Sequence, residues 1–168
     1  QGDLNATWIA GSFAGRPQDA TNEVMLTDPK NSLFGPYLKA TDIYKCPADR
    51  TPGTSGSVKT PRVRSYGMNV YVGWNQAQYR NLPVTSYRTY KKITEITQPP
   101  PADVFVVAGI HPNSICRPFF GVHMDPVNSA RFYHIPASYH DGGGNFFFAD
   151  GHTENKKWRD DRTIKPRT

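Results

Sequence analysis

Residues 142–158 read Gly142-Gly143-Gly144-Asn145-Phe146-Phe147-Phe148-Ala149-Asp150-Gly151-His152-Thr153-Glu154-Asn155-Lys156-Lys157-Trp158. The stretch 145–149 is aromatic and apolar, as expected of a strand packed against a core. Residues 152–158 alternate in polarity, which suits a return strand with one face in water. Asp150-Gly151 between them reads as a two-residue turn, because both residue types tolerate positive φ and so match the twist of paired antiparallel strands. The three glycines in front let the backbone bend sharply or pass close to a neighbour. A hairpin here makes sheet the framework of the chain.

Working outward, Val104–Val107 is a short β-branched run bounded by turn formers and reads as a buried strand. Arg64 to Trp74 is rich in Tyr and Val and also reads as β. Residues 75–90 read as a surface excursion, 51–61 as a polar loop, and 111–128 as loop. Ile43–Cys46 reads as a short extended piece ended by Pro47. Ile93–Ile96 leads to Pro99-Pro100-Pro101, an extended spacer. Asp28-Pro29 suits the N-cap and first position of a short helix, with Leu33, Phe34, Tyr37 and Leu38 as its apolar face and Pro36 limiting its length. Residues 1–27 show no periodicity, and Asn5-Ala6-Thr7 is a glycosylation sequon.

Fifteen prolines and 14 glycines in 168 residues argue against a helical bundle, while 37% hydrophobic residues are enough to form a core. The expected fold is α+β, loop-rich, with more strand than helix. It forms one domain over residues 1–168, with an irregular segment 1–27 and a charged surface tail 159–168. The longest apolar stretch, Val104–Ile110, is far short of the roughly 20 residues a membrane helix needs, so no span is expected. The chain opens on polar Gln1-Gly2-Asp3, with no start methionine or signal peptide.

The net charge of +6 is concentrated in residues 61–100, where Arg62, Arg64, Arg80, Arg88, Lys91 and Lys92 face Glu95 alone. Five of the nine tyrosines and Trp74 lie in the same segment. Basic and aromatic groups interleaved are the composition of a polyanion-binding surface, with Arg62, Arg64, Lys91 and Lys92 as its candidate patch. No motif for nucleic-acid binding accompanies it, and the same composition suits the exposed strands of a secreted protein.

Five histidines, at 111, 123, 134, 140 and 152, raise the question of a metal. His140, Asp141, Asp150 and His152 cluster around the hairpin and are the candidate ligands of a transition-metal hydrolase; Asp141, Asp150 and loop carbonyls are candidates for a structural calcium. The alternative is that His140 and Asp150 hydrogen-bond backbone and hold the hairpin to the preceding loop. No HExxH, CxxC, Gly-x-Ser-x-Gly or protease-type cysteine occurs, and the glycine run lacks the Lys-Ser/Thr of a phosphate cradle. Trp158, Phe146 and Phe148 read as packing residues. Cys46 and Cys116 form a disulfide in an oxidising compartment and remain two buried thiols in a reducing one.

His140, nine residues, then Asp150-Gly151 resembles the C-terminal signature of prepilin-type proteins that carry the His-x9-Asp-Gly domain, relatives of type II secretion pseudopilins and type IV pilins. Gly35-Pro36-Tyr37-Leu38, Tyr44-Lys45-Cys46-Pro47-Ala48-Asp49 and Arg64-Ser65-Tyr66-Gly67-Met68-Asn69 resemble further stretches of that family. So do Ala137-Ser138-Tyr139-His140 and Trp158 to Thr163. His111-Pro112-Asn113-Ser114-Ile115 resembles another, but Ile110 stands where an acidic residue is usual, and Cys116-Arg117 replace a polar-acidic pair. The likeness covers residues 33 to 165.

The resemblance implies a pilin-like head, an antiparallel sheet lying on a long N-terminal helix that this chain does not include. It implies a structural subunit and no enzyme, without an obligatory cofactor, assembling with copies of itself or other pilin-like subunits in an extracellular or cell-surface filament, or in a pseudopilus exposed to the periplasm. His140, Asp150 and Gly151 would fix the C-terminal hairpin, and the oxidising exterior favours a Cys46–Cys116 bridge.

Overall fold

Val104–Val107, the most apolar β-branched run, leads into the central strand β4 (Phe105–Gly109) of a five-stranded sheet. The computed structural model describes residues 8–55, 58–75, 77–124 and 129–166; the Asn5 sequon lies outside them. On one side β4 pairs antiparallel with β3 (Tyr66–Asn69), Met68 opposite Val107. On the other it pairs antiparallel with β8 (Gly143–Phe148), Val107 opposite Phe147, with a register shift between Phe105 and Val107. Strand β9 (Thr153–Lys157) closes one edge by pairing with β8. The other edge is the two-residue β5 (Phe119–Phe120), which runs parallel to β3, so the sheet is mixed and not wholly antiparallel. Two further hairpins lie outside it: β1 (Pro52–Ser55) with β2 (Val58–Pro61), and β6 (Val122–His123) with β7 (Arg131–Phe132). Strand exceeds helix, 26% to 16%, as the composition implied.

The β8–β9 hairpin forms where expected, but its loop has three residues. The Gly151 N–H donates to the Phe148 carbonyl at 3.0 Å and the Phe148 N–H to the His152 carbonyl at 2.9 Å, leaving Ala149, Asp150 and Gly151 between them. Gly151 takes φ +94°, the left-handed position that closes such a loop. The glycine run upstream has a packing cause: a Cβ on Gly144 would lie 2.6 Å from the Ala137 carbonyl oxygen.

Alternate residues of the central strands separate two faces. Ala108 and Phe146 are buried with Ile110, Ile115 and Phe120 in the main core, where Phe105 and Trp158 pack against them. The Trp158 indole donates to the Ala137 carbonyl at 2.8 Å, fixing the end of the hairpin. The charged tail lies over the surface and turns into a short helix (Asp161–Ile164) capped by the Asp160 side chain; its Ile164 carbonyl accepts from Ser138.

Four local expectations fail. No helix starts at Asp28. A single helical turn, α1 (Val24–Thr27), precedes it, and Asp28 closes that turn, its N–H donating to the Val24 carbonyl. Residues 33–37 form turns. Of the piece Ile43–Cys46, read as extended, Ile43 and Tyr44 belong to a 3-10 turn (Thr41–Tyr44); the polar loop 51–61 contains the β1–β2 hairpin, and the loop 111–128 contains β5 and β6.

Candidate functional site

The motif residues converge on a polar knot at the start of β3. The 3-10 turn Thr41–Tyr44 delivers Cys46 and then Asp49, whose N–H closes a turn on the Cys46 carbonyl at 2.9 Å. Asp49 is 2% exposed. Its carboxylate accepts the Ser65 hydroxyl at 2.6 Å and the Thr51 N–H at 3.0 Å. The fully buried Ser65 also donates its N–H to Tyr44 and accepts from Ile110 through its carbonyl. His140, 94 positions from Cys46, places Nε2 3.4 Å from the Cys46 sulfur. The Tyr139 hydroxyl is buried near Asp49, and burial, reinforced by the carboxylate, raises its pKa. Burial likewise pushes Tyr66 up to about 12, with Cys46 adding to the effect. A buried, hydrogen-bonded network of this kind locks one backbone arrangement.

The second cysteine has its own histidine. Cys116 Sγ lies 3.3 Å from His134 Nε2 and 3.8 Å from the Tyr133 hydroxyl. Both cysteines are free, each sulfur facing a different imidazole, so the expected disulfide is absent. His134 has no exposed surface; burial, then the charges of Arg64 and Arg117, lower its pKa to about 3, and it is a neutral imidazole.

The four residues of the polyanion patch do not share a surface. Arg64 is buried, donates to the carbonyls of Tyr66 (2.6 Å) and Arg117 (3.2 Å), and sits 4.7 Å above the Phe13 ring. Desolvation lowers its pKa to about 9. Arg62 is half-buried and donates to the Pro112 carbonyl at 3.0 Å. Lys91 and Lys92 alone are exposed, and Glu95 accepts both of their backbone N–H groups.

The metal candidates are also divided. Asp150 accepts from the His152 N–H at 3.1 Å and faces its Nδ1 at 2.6 Å, while the His152 ring stacks on Phe148 at 4.3 Å. The Asp150 carboxyl is held below its ordinary range, first by that backbone N–H. Asp141 pairs with Lys157, which lowers its pKa, and His140 is turned to Cys46. Among the described residues no three His, Cys, Asp or Glu side chains come together as a metal-binding group.

The feature that sequence reasoning missed is on the opposite sheet face. Tyr66, Met68, Val107 and Phe147 form the floor of a trough of about 600 Å³. Trp8, Phe34, Leu38, Ile43 and Tyr44, together with Tyr90, Ile93 and Ile96, complete its lining. The lining is apolar except for Lys91 and Lys92. Several of these side chains are open to solvent, including Ile93 (64%), Ile43 (50%) and Phe147 (38%). A contiguous exposed apolar surface marks an interaction site. The signal in the sequence is the pair of apolar doublets Leu33-Phe34 and Tyr37-Leu38, which a helix would turn towards a core. Among the described residues no helix is long and apolar enough to cross a membrane. Comparison with protein-family models, curated proteins and solved structures finds no match for this chain.

Proposed function

We propose that this chain is the globular head of a pilin-like structural subunit, exported from a bacterium and built into a pilus or pseudopilus. The observation that carries this reading is the open apolar trough across the five-stranded sheet. Tyr66, Met68, Val107 and Phe147 present a continuous hydrophobic floor to water, a surface that is stabilised only by a covering partner. An apolar helix, about 10–12 Å across with its side chains, is the partner we propose to cover that floor. Trp8 is itself part of the lining, so a helix that precedes it in the chain needs only a short connection to reach the trough.

In this role the head is rigid and does no chemistry. The knot of Cys46, Asp49, Ser65 and His140 holds the strands that form the floor. The Asp150-Gly151 loop aligns β8, which carries Phe147, with its edge partner β9. Head-to-tail repetition of one such unit gives an open polymer.

The test is immunogold electron microscopy of filaments sheared from the source cells, with antibody raised against this head. Label repeating along filaments supports the reading. Abundant protein recovered only in unpolymerised form, with bare filaments, overturns it.

A further inference from the structure

Among the described residues, the ion pairs lie at Arg16–Asp19 or between residues 141 and 162. The arginines of the excursion after β3 and of the segment before β5 have no such partner there. Tyr79 gathers two of them. Its N–H donates to the Leu82 carbonyl at 2.8 Å, and the Leu82 N–H returns to the Tyr79 carbonyl at 3.0 Å. This two-residue turn holds Arg80 at its tip, at φ +49°. The Arg80 guanidinium lies 5.9 Å from the centre of the Tyr79 ring, and the Arg117 guanidinium 5.0 Å from it. Arg117 also donates through Nη2 to the Tyr79 hydroxyl at 2.9 Å.

Both cations are open to a ligand. Arg80 is exposed, and its guanidinium makes no hydrogen bond among the described residues. The Arg117 Nε and Nη1 have no protein partner and are not shielded from solvent. Burial alone would raise the Tyr79 pKa, but the hydrogen bond and charge of Arg117, with Tyr133 and Arg80 adding to them, lower it. Positive potential therefore accumulates on this face. The same surface continues past Tyr79. The Tyr133 ring centre lies 6.4 Å from that of Tyr79, and the His123 ring centre 5.9 Å from that of Tyr133. Opposite His123 in the β6–β7 pairing stands exposed Arg131, whose charge acts on His123. Arg80, Arg117 and Arg131 thus line one stripe, with half-buried rings between them.

We infer that this stripe binds the phosphate backbone of a single nucleic-acid strand. All three cations are arginines, whose planar forks grip phosphate oxygens in pairs. A row of them matches a chain of repeated charges, and rings set between the cations offer unpaired bases an apolar surface. A duplex is read by a helix or a β-ribbon lying in a groove, and β6 and β7, of two residues each, are too short to enter one.

The inference is independent of the filament reading. Its test is fluorescence anisotropy of the 168-residue chain with fluorescein-labelled oligothymidylate, at salt from about 50 to about 200 mM. For a single strand the logarithm of affinity falls with that of salt by about 0.7 per phosphate contact. Three arginines are therefore expected to give a slope of about −2 and about a twentyfold loss of affinity over that range. Arg80→Gln combined with Arg131→Gln, at two exposed positions, is expected to melt as wild type and to cut the slope to about −0.7 and the loss to about threefold. Lys156→Gln, on β9, is the control and is expected to bind as wild type. No binding at about 50 mM salt, an unchanged slope in the folded double variant, or the same loss of slope in Lys156→Gln overturns the assignment. So does tighter binding of a duplex of equal length. Chondroitin sulfate displacing the probe as well as unlabelled oligothymidylate at equal charge also overturns it, and would make the stripe a site for sulfated glycans.

Discussion

Gly151→Val isolates one physical effect. The residue has φ +94°, and a Cβ built on it meets no atom within 4 Å. Valine there adds no clash and removes no contact, so the whole cost is conformational. An L-residue in left-handed backbone costs roughly 1–2 kcal/mol, and β-branching places valine at the upper end. For a chain of 168 residues, each kcal/mol lowers the melting temperature by about 2–4 °C. Valine is therefore expected to lower it by about 4–8 °C. Asparagine, which visits this region more readily, is expected to lose about half as much. Differential scanning calorimetry of the three proteins reads this directly. A valine variant melting within about 1 °C of wild type, or asparagine as damaging as valine, would refute the reasoning.

The polar knot makes a larger demand. Asp49→Ala leaves the Ser65 hydroxyl and the Thr51 N–H without their acceptor, a loss of about 2–5 kcal/mol in urea unfolding; a loss below about 1 kcal/mol would show that the knot does not hold the strands. His134 is neutral in the fold, with its pKa lowered to about 3. The unfolded chain binds a proton near pH 6.5 and the folded chain does not, so stability is full above about 6.5 and falls progressively towards pH 3. His111 and His123 are shifted in the same direction, so the measurement is the slope that His134→Phe removes between about pH 6 and 4; an unchanged slope contradicts the burial argument. Phe147→Glu alters a trough residue that is already 38% exposed, and is expected to change the melting of the isolated head little while abolishing filament incorporation in cells; normal incorporation would separate the trough from assembly.

The strands most visible in the sequence are those whose own residues dictate the pattern. Val104–Val107 announced β4 because a short β-branched run between turn formers has few other uses. The β8–β9 hairpin was marked by its alternation and by Asp150-Gly151, although hydrogen bonding and not composition decided that the loop has three residues. Strand β5 was hidden because two residues, Phe119-Phe120, become a strand only by lying parallel to Met68-Asn69. The β1–β2 hairpin was hidden because its residues are those of a polar loop. Asp28-Pro29 has the composition of a helix start, but Asp28 closes the turn before it, and Gly35 and Pro36 keep residues 33–37 in turns.

The candidate site was legible only in pieces. His140 and Cys46 stood out singly, but a sulfur–imidazole contact across 94 positions cannot be read from spacing. Arg64 looked like a surface charge and is buried, because backbone carbonyls and the Phe13 ring receive its guanidinium. The trough was invisible for a simple reason: an apolar residue carries the same letter whether it faces a core or water.

The direct measurement is maleimide labelling of Phe147→Cys, quantified by mass spectrometry of the peptide that carries it. The isolated 168-residue chain and the subunit assembled in filaments are compared at equal reagent. If a helix covers the sheet, position 147 labels readily in the isolated chain and is protected in the filament. Equal labelling in both would contradict the account.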